Sequence, residues 1–350
     1  MEGVVLHSTA RMTVRSRTYL KYFLSALLTV FFLAFAFRGT DLDKLYASMR
    51  NANYWWMLLM FACLIVSHLF RSWRWRYLLE PVKPNIGLRN LFSGLMIGYL
   101  VNNVLPRAGE LVRPYTIGKL ESIPKSAALG TIVVERLMDT VSFLFLVSII
   151  PLVYSGPLAD TFPWLQEAGT ILSVGTIVFL IVIVTMMMRR DWTDRLLRVV
   201  GKVLPESLAH RVEAITHSFL DGFLFLKRPR NFASILILSV LIWVLYVMMI
   251  YVAFFAFNLQ QLGFGAAIVV QAISSIGVAI PTPGATGGYH WFTAQTLTRL
   301  FSIPDEIALS YATVTHAVGY IGVTIIGLYY FLKDHINVKE AVSDAPGEKQ

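Results

Sequence analysis

Residues 127–154 read AALGTIVVERLMDTVSFLFLVSIIPLVY, and the reading of this stretch decides the fold. An apolar run of this length is a bilayer span, since about 20 helical residues cross the ~30 Å hydrocarbon core. Yet Glu135, Arg136 and Asp139 lie inside it, two to three turns from its start. Each ionised group at mid-membrane costs about 2.5–3.5 kcal/mol on insertion scales. The three must therefore face protein or water rather than lipid.

Outward from this stretch, strong spans occupy residues 19–37, 54–70, 169–188, 235–257 and 311–332. The 350 residues are 56% hydrophobic and only 15% charged, with a mean hydropathy of +0.62. A soluble domain carries roughly 25% charged residues, so a soluble enzyme is excluded. The formal charge of +9 sits beside the hydrophobic runs, as cytoplasmic loops of membrane proteins require, and not in a nucleic-acid-binding stripe. The first run follows Arg11, Arg15, Arg17 and Lys21. It is long for a signal peptide and is expected to be retained as a span. The lone Cys63 lies in an apolar run and reads as a small buried hydrophobe.

Charge placement fixes the expected orientation. The basic residues 1–18, Arg71, Arg74 and Arg76, the loop 189–230, and Lys333 and Lys339 all belong on the cytoplasmic side. Residues 154–169 carry Asp160 and Glu167 without Lys or Arg and face outward. Two less regular apolar stretches, 86–105 and 264–303, must then each enter and leave on one face, the first from inside and the second from outside. The alternative is eight ordinary spans, two of them kinked at proline. The first reading gives an all-α polytopic membrane helix bundle of about six full spans and two re-entrant hairpins, arranged as inverted-topology repeats of the kind secondary transporters use. The spanning domain covers 19–332, flanked by cytoplasmic tails 1–18 and 333–350. Within it, the loop 191–230 holds two amphipathic segments that suit the cytoplasmic leaflet or docking onto the bundle.

The chemistry concentrates at the hairpins and at the charged span. The first hairpin turns at Asn103-Val104-Leu105-Pro106-Arg107-Ala108-Gly109-Glu110, with Arg113 one turn further on. Glu135 and Asp139, four residues apart, repel on one helix face. Arg136 can pair with Asp139, and a second cation, Arg107 or Arg113, is needed. Two readings stand: a polar pocket whose arginines grip an anionic headgroup by paired hydrogen bonds, or an ion-pair network that only joins hairpin to helix. The second hairpin turns at Pro281-Thr282-Pro283-Gly284-Ala285-Thr286-Gly287-Gly288. Its prolines forbid a continuous helix and its glycines permit close approach. Amides at the following helix start, near Gly288, are candidates to bind an anion. His290 and His316 are candidates for a helix–helix hydrogen bond or for proton relay. The run from Phe70 to Tyr77 interleaves arginine with aromatic residues and reads as an interfacial anchor or a headgroup contact. No phosphate-binding loop, zinc-spaced His/Cys set or nucleophile elbow is present, so neither a metal nor a cofactor nor an enzymatic role is expected.

At Asn103 to Arg113, at Glu135-Arg136-Leu137-Met138-Asp139 and at Pro281 to Gly288, the sequence resembles the lysylphosphatidylglycerol synthetase transmembrane family of flippase-like integral membrane proteins. The likeness in order and spacing covers about residues 19–332. It implies a lipid-translocating or lipid-handling role in the cytoplasmic (inner) membrane, with Asn103, Pro106, Arg107, Glu110, Arg113, Glu135, Arg136, Asp139, Pro281, Pro283, Gly284, Gly287, Gly288 and His290 as the substrate-binding set. Family members often carry Pro-Gly-Gly and a nearby glutamate where this chain has Ala285 and His290, so an acid is not carried over to that place. In the best-understood relatives the module accompanies a soluble synthetase domain. The longest polar stretch here, 191–230, is too short for one, so aminoacyl transfer by this chain is not expected. The expected partners are a membrane lipid and a separate lipid synthase or glycosyltransferase, with no nucleic acid. The rival expectations are a membrane-embedded transferase or hydrolase on a lipid-linked substrate and a non-catalytic scaffold for a synthase.

Overall fold

The computed structural model describes residues 23–156 and 229–337 throughout, with scattered positions between 158 and 216. Most of the expected amphipathic segments of 191–230, half of the expected span 169–188, the tail 1–18 and residues 338–350 of the other tail lie outside the described residues. Helix α1 spans Phe23–Phe37 and is bent by 90° against α2, Leu42–Arg50. The side chain of Asp41 caps α2 by accepting from the amides of Asp43 and Lys44. The expected span 19–37 is helical over its described part and ends at Phe37, where the chain turns sharply into α2. Helix α3, Tyr54–Leu79, begins at an Asn53 cap and continues well past the apolar run that predicted it.

The first hairpin is α4, Leu88–Val104, and α5, Gly109–Glu121, followed by the long helix α6, Lys125–Val153. Helix α7, Pro229–Ala256, precedes the second hairpin, α8 (Gly263–Ala279) and α9 (Gly288–Phe301), and the long helix α10, Asp305–Lys333. Among the described residues, five helices are long and apolar enough to cross a membrane, or six if the bent α1–α2 pair is one span. The segment Gln260–Ala279, which contains α8, is one of the five. A 17-residue helix is about 25 Å long, so α4 and α8 are each long enough to pass the midpoint of a ~30 Å core.

Each hairpin closes where two glycines let backbones touch. A Cβ on Gly109 would lie 1.9 Å from the Gly98 carbonyl oxygen, and one on Gly277 would lie 2.5 Å from that of Gly288. Small residues permit this approach of helices in a membrane interior. The Asn102 side chain accepts from the Gly109 amide at 2.7 Å, pinning the first turn.

The two hairpins enter from opposite ends of the bundle. The base of the first meets the end of α10: Arg89 and Ser93 both donate to the Asp334 carboxylate, and Lys119 donates to the His335 carbonyl at 2.6 Å. The base of the second meets the end of α6, where the Tyr154 hydroxyl donates to the Leu300 carbonyl and Gly265 packs on Val153. Helices α6 and α10, 29 residues each, thus run in opposite directions between the two bases. The hairpin tips meet between them, where Arg107 donates to the Ala279 carbonyl at 2.6 Å.

The two halves correspond in detail. Ser122 and Ser302 both end their hairpins in the left-handed conformation, and Pro124 and Pro304 both start the long helix that follows. Residues 131–140 and 311–320 share one order of buried and partly exposed positions. The largest core cluster packs α7, α8, α9 and α10 around Phe254, Val270, Leu297 and Tyr311. A second gathers Trp75, Leu91, Ile117 and Ile132 around the first hairpin. Cys63 is partly exposed rather than buried.

Candidate functional site

Helices α3, α5, α6 and α7 converge on the charges of α6. Glu135 is fully buried. Arg113 donates to its Oε2 at 2.9 Å, and Arg71 donates to its Oε1. Asp139 receives Arg71 at 3.0 Å and Arg74 at 2.7 Å. Arg71 also donates to the Tyr246 hydroxyl and Arg74 to the Ser239 hydroxyl, so α7 closes the back of the cluster. The Arg113 guanidinium lies over the Trp75 ring, 4.4 Å from its centroid, a cation–π contact. The repulsion expected between Glu135 and Asp139 is thus answered by three buried arginines.

Arg71 and Arg74 were expected at the membrane interface, and this is corrected. Both are buried, at 5% and 0% exposure, because α3 runs on to Leu79 and carries them into the bundle. Their three-residue spacing on a helix, with Trp75 beside them, was the signal available. Of the two cations expected to balance the acids, Arg113 is the one that pairs with Glu135, whereas Arg107 donates to the Ala279 carbonyl of α8.

Arg136 differs from the other three arginines. Its side chain is 41% exposed, and its contacts are looser: Glu110 at 3.4 Å, Glu135 at 3.7 Å and Asp139 at 3.7 Å. Among the described residues its guanidinium makes no hydrogen bond, and its buried Nε has only the looser ion contact with Glu110. Glu110, on the first turn of α5, is itself 38% exposed. Four arginines against three carboxylates leave the cluster one positive charge. Arg136 lies eleven residues into α6, about 16 Å from its start, inside a helix long and apolar enough to cross a membrane.

The second hairpin's residues form a separate group. Pro281 accepts through its carbonyl from the Ser25 hydroxyl of α1 at 3.0 Å. Pro283 and Gly284 form a short 3₁₀ turn, and the Gly284 carbonyl lies 2.8 Å from His316 Nε2, which must donate. Gly287, at φ 89°, packs against Thr29 and Phe32 of α1. Its amide donates to His290 Nδ1 at 3.2 Å. This amide, expected to be open to an anion, is therefore taken by the chain's own histidine. Gly288 is held against Gly277. Asn103, at the tip of the first hairpin, donates to the Thr324 hydroxyl at 2.8 Å, and Tyr320 donates to the Asn103 carbonyl. Pro106 lies in the turn beside Arg107. The structure so divides the expected set: Glu110, Arg113, Glu135, Arg136 and Asp139 come together, while Asn103 and Arg107 join the second hairpin.

An apolar groove of 760 Å³ opens elsewhere between α3 and α10, lined by Met57, Leu58, Phe61, Val318 and Ile321 among others, with no charged residue. No group of three or more His, Cys, Asp or Glu side chains suited to a metal ion occurs among the described residues.

A helical membrane bundle with paired broken helices around buried charges defines an integral membrane protein. The chain belongs to the family described as the lysylphosphatidylglycerol synthase TM region, which matches residues 22–327. It is similar to UPF0104 membrane proteins of archaea. One from Methanocaldococcus jannaschii is 36% identical over 30% of this chain and 32% of its own length. One from Methanothermobacter thermautotrophicus is 28% identical over 61% of this chain and 66% of its own length. A third, from Pyrococcus horikoshii, is 23% identical over 82% and 89%. The chain thus spans about a third of the first of these relatives and just under two thirds of the second. No solved structure matches the chain.

Proposed function

We propose that this protein is a flippase-like carrier that moves an amphipathic lipid with a polar or anionic headgroup between leaflets, without changing it covalently. The observation that carries this reading is Arg136, a half-exposed, loosely paired arginine holding the surplus charge of a cluster well inside a candidate membrane-spanning helix. A structural ion pair needs no surplus, and a charge left partly open there needs a wet cavity or an anion. A phosphate or carboxylate that displaces Glu110 meets a planar donor suited to it. Arg71, Arg74 and Arg113 hold Glu135 and Asp139, and through them position Arg136. The apolar groove between α3 and α10 suits acyl chains. The family's description, taken from the membrane region of a lipid synthase, supports a lipid rather than a soluble cargo.

In this reading the two halves are inverted-topology repeats in the cytoplasmic membrane, with both termini inside, and the meeting hairpin tips form the divide that rocks between inward- and outward-open states. The lipid is made by a separate synthase or glycosyltransferase. The test is reconstitution into vesicles with a leaflet-resolved assay of fluorescent phosphatidylglycerol and of a fluorescent neutral glycolipid. The wild-type protein is expected to exchange at least one between leaflets, chemically intact, and Arg136→Gln to abolish that exchange. Equal exchange by both proteins, or a covalently altered product, would overturn the reading.

A further inference from the structure

The correspondence of the two halves has a chemical content at one position. Ser122, Ile123 and Pro124 match Ser302, Ile303 and Pro304 in identity, and the serines and prolines match in backbone conformation, an offset of 180 residues. Carried along the long helices, that offset sets Glu135 opposite Thr315, Arg136 opposite His316 and Asp139 opposite Gly319. The shared burial order of residues 131–140 and 311–320 independently supports the same register. In the hairpins, the contacting pairs Gly98–Gly109 and Gly277–Gly288 set Glu110 opposite Tyr289, each the second residue of its helix.

The matched positions touch in both halves. Glu110 meets Arg136 at 3.4 Å, and Tyr289 stacks on His316 with ring centroids 5.5 Å apart. Buried Glu135 beneath the first pair is replaced by buried Thr315 beneath the second, whose hydroxyl lies 3.0 Å from the Tyr289 hydroxyl. His290 adds a second imidazole, 4.6 Å from His316. Between the two pairs lie the hairpin tips. Asn103 sits against Gly284 and Tyr320 on the second side, and Arg107 spans to Ala279. A buried Thr282 hydroxyl in the second turn has no hydrogen-bond partner among the described residues.

We propose that Tyr289 and His316 form a second headgroup station, the repeat counterpart of Glu110 and Arg136, which takes over the headgroup once it has passed the hairpin tips. This rests on the lipid-carrier reading above. The two stations differ in chemistry, and the difference names the cargo class. Arg136 offers a fixed cation to a phosphate. With His316 Nε2 donating to Gly284 and the Tyr289 hydroxyl engaged by Thr315, the second station offers the His316 Nδ1 and the phenol oxygen as acceptors and two ring faces, groups that take hydroxyls rather than hold an anion tightly. The lipid class that satisfies both in turn carries a phosphate and a hydroxylated headgroup. A weaker second grip also releases the lipid instead of trapping it.

The test separates binding from exchange on the full-length protein. Binding is read with short-chain dihexanoyl phosphatidylglycerol in detergent, and exchange with fluorescent phosphatidylglycerol in vesicles. Arg136→Gln is expected to lose both. Tyr289→Phe, which removes only a hydroxyl, and His316→Gln, which retains an amide donor towards Gly284, are expected to bind within about twofold of wild type and to exchange about tenfold more slowly. Their unfolding midpoints are measured alongside, and if His316→Gln is unfolded, Tyr289→Phe decides alone. Wild-type exchange rates in folded Tyr289→Phe, beside loss in Arg136→Gln, would overturn the second station and leave the carrier intact. No exchange of phosphatidylglycerol by the wild-type protein would overturn the second station and its cargo class, and no exchange of the neutral glycolipid either would overturn the carrier reading itself.

Discussion

Glu135 is the residue on which the buried arginines converge. Replacing it by glutamine removes the charge that balances Arg71 and Arg113. Breaking a buried pair from one side typically costs about 3–5 kcal/mol, because the partner stays buried without compensation. Glu135→Gln is therefore expected to lower the thermal unfolding midpoint in detergent by several degrees or to prevent folding. Arg136→Gln is expected to cost no more than about 1 kcal/mol, since a half-exposed and loosely paired arginine contributes as surface pairs do. A comparable loss for both variants would make Arg136 a structural residue. The acids and Arg136 were legible in the sequence because a charge inside an apolar run has few innocent explanations. Arg71 and Arg74 were not. They follow the apolar run of α3, where an interfacial anchor is the ordinary meaning of arginine beside tryptophan, and only the continuation of α3 to Leu79 shows them buried.

At the scale of elements, the hairpins stand on their glycine crossings and on the clasps at their bases. The Cβ of Gly277→Ala would meet backbone of Gly288 at 2.5 Å, which cannot move aside as a side chain can. Overpacking of this kind costs about 1–3 kcal/mol. In Gly319→Ala the new methyl lies 3.6 Å from Leu64, an ordinary contact, and helix propensity favours alanine. A measured midpoint that falls for Gly277→Ala and holds or rises for Gly319→Ala supports the crossing; the reverse order would not. At the base of the first hairpin, burial raises the Glu121 carboxyl pKa, but hydrogen bonds from Lys83, Asn90 and the Gly87 amide outweigh it and hold the group below its ordinary value. A carboxyl depressed in the folded state adds stability above its unfolded pKa of about 4.3. That stability is lost as acid takes the pH below this value and through the folded pKa. Glu121→Gln is thus expected to unfold at a lower temperature than wild type at pH 7, with the gap closing towards pH 3. A constant gap would deny the clasp. The turns themselves were legible from Pro106 and from Pro281 and Pro283. The glycine pairs were not, because residues eleven apart face one another only after the chain has reversed. The right-angle break between α1 and α2 was missed for a related reason: Arg38 to Asp41 reads as a span end, and nothing local sets the angle at which the next helix leaves.

For the whole molecule, the contacts place the two hairpin bases at opposite ends of α6 and α10, whereas the sequence argued the same arrangement from the positions of Lys and Arg. The two arguments are independent, one resting on packing and the other on which loops a membrane retains. Together they expect Pro84, exposed at the base of the first hairpin, and Gln261, exposed at the base of the second, to face opposite compartments. Both lie outside the helices of their hairpins, so a cysteine there disturbs no packing that holds the turns. Cys63 is the protein's one cysteine, and its replacement by alanine gives a silent background. In that background, Pro84→Cys is expected to resist a membrane-impermeant maleimide applied to intact cells and to react after the membrane is opened. Gln261→Cys is expected to react in intact cells. Labelling of both from one side would mean that the bases share a face, and a carrier whose hairpins enter from both leaflets would then be excluded.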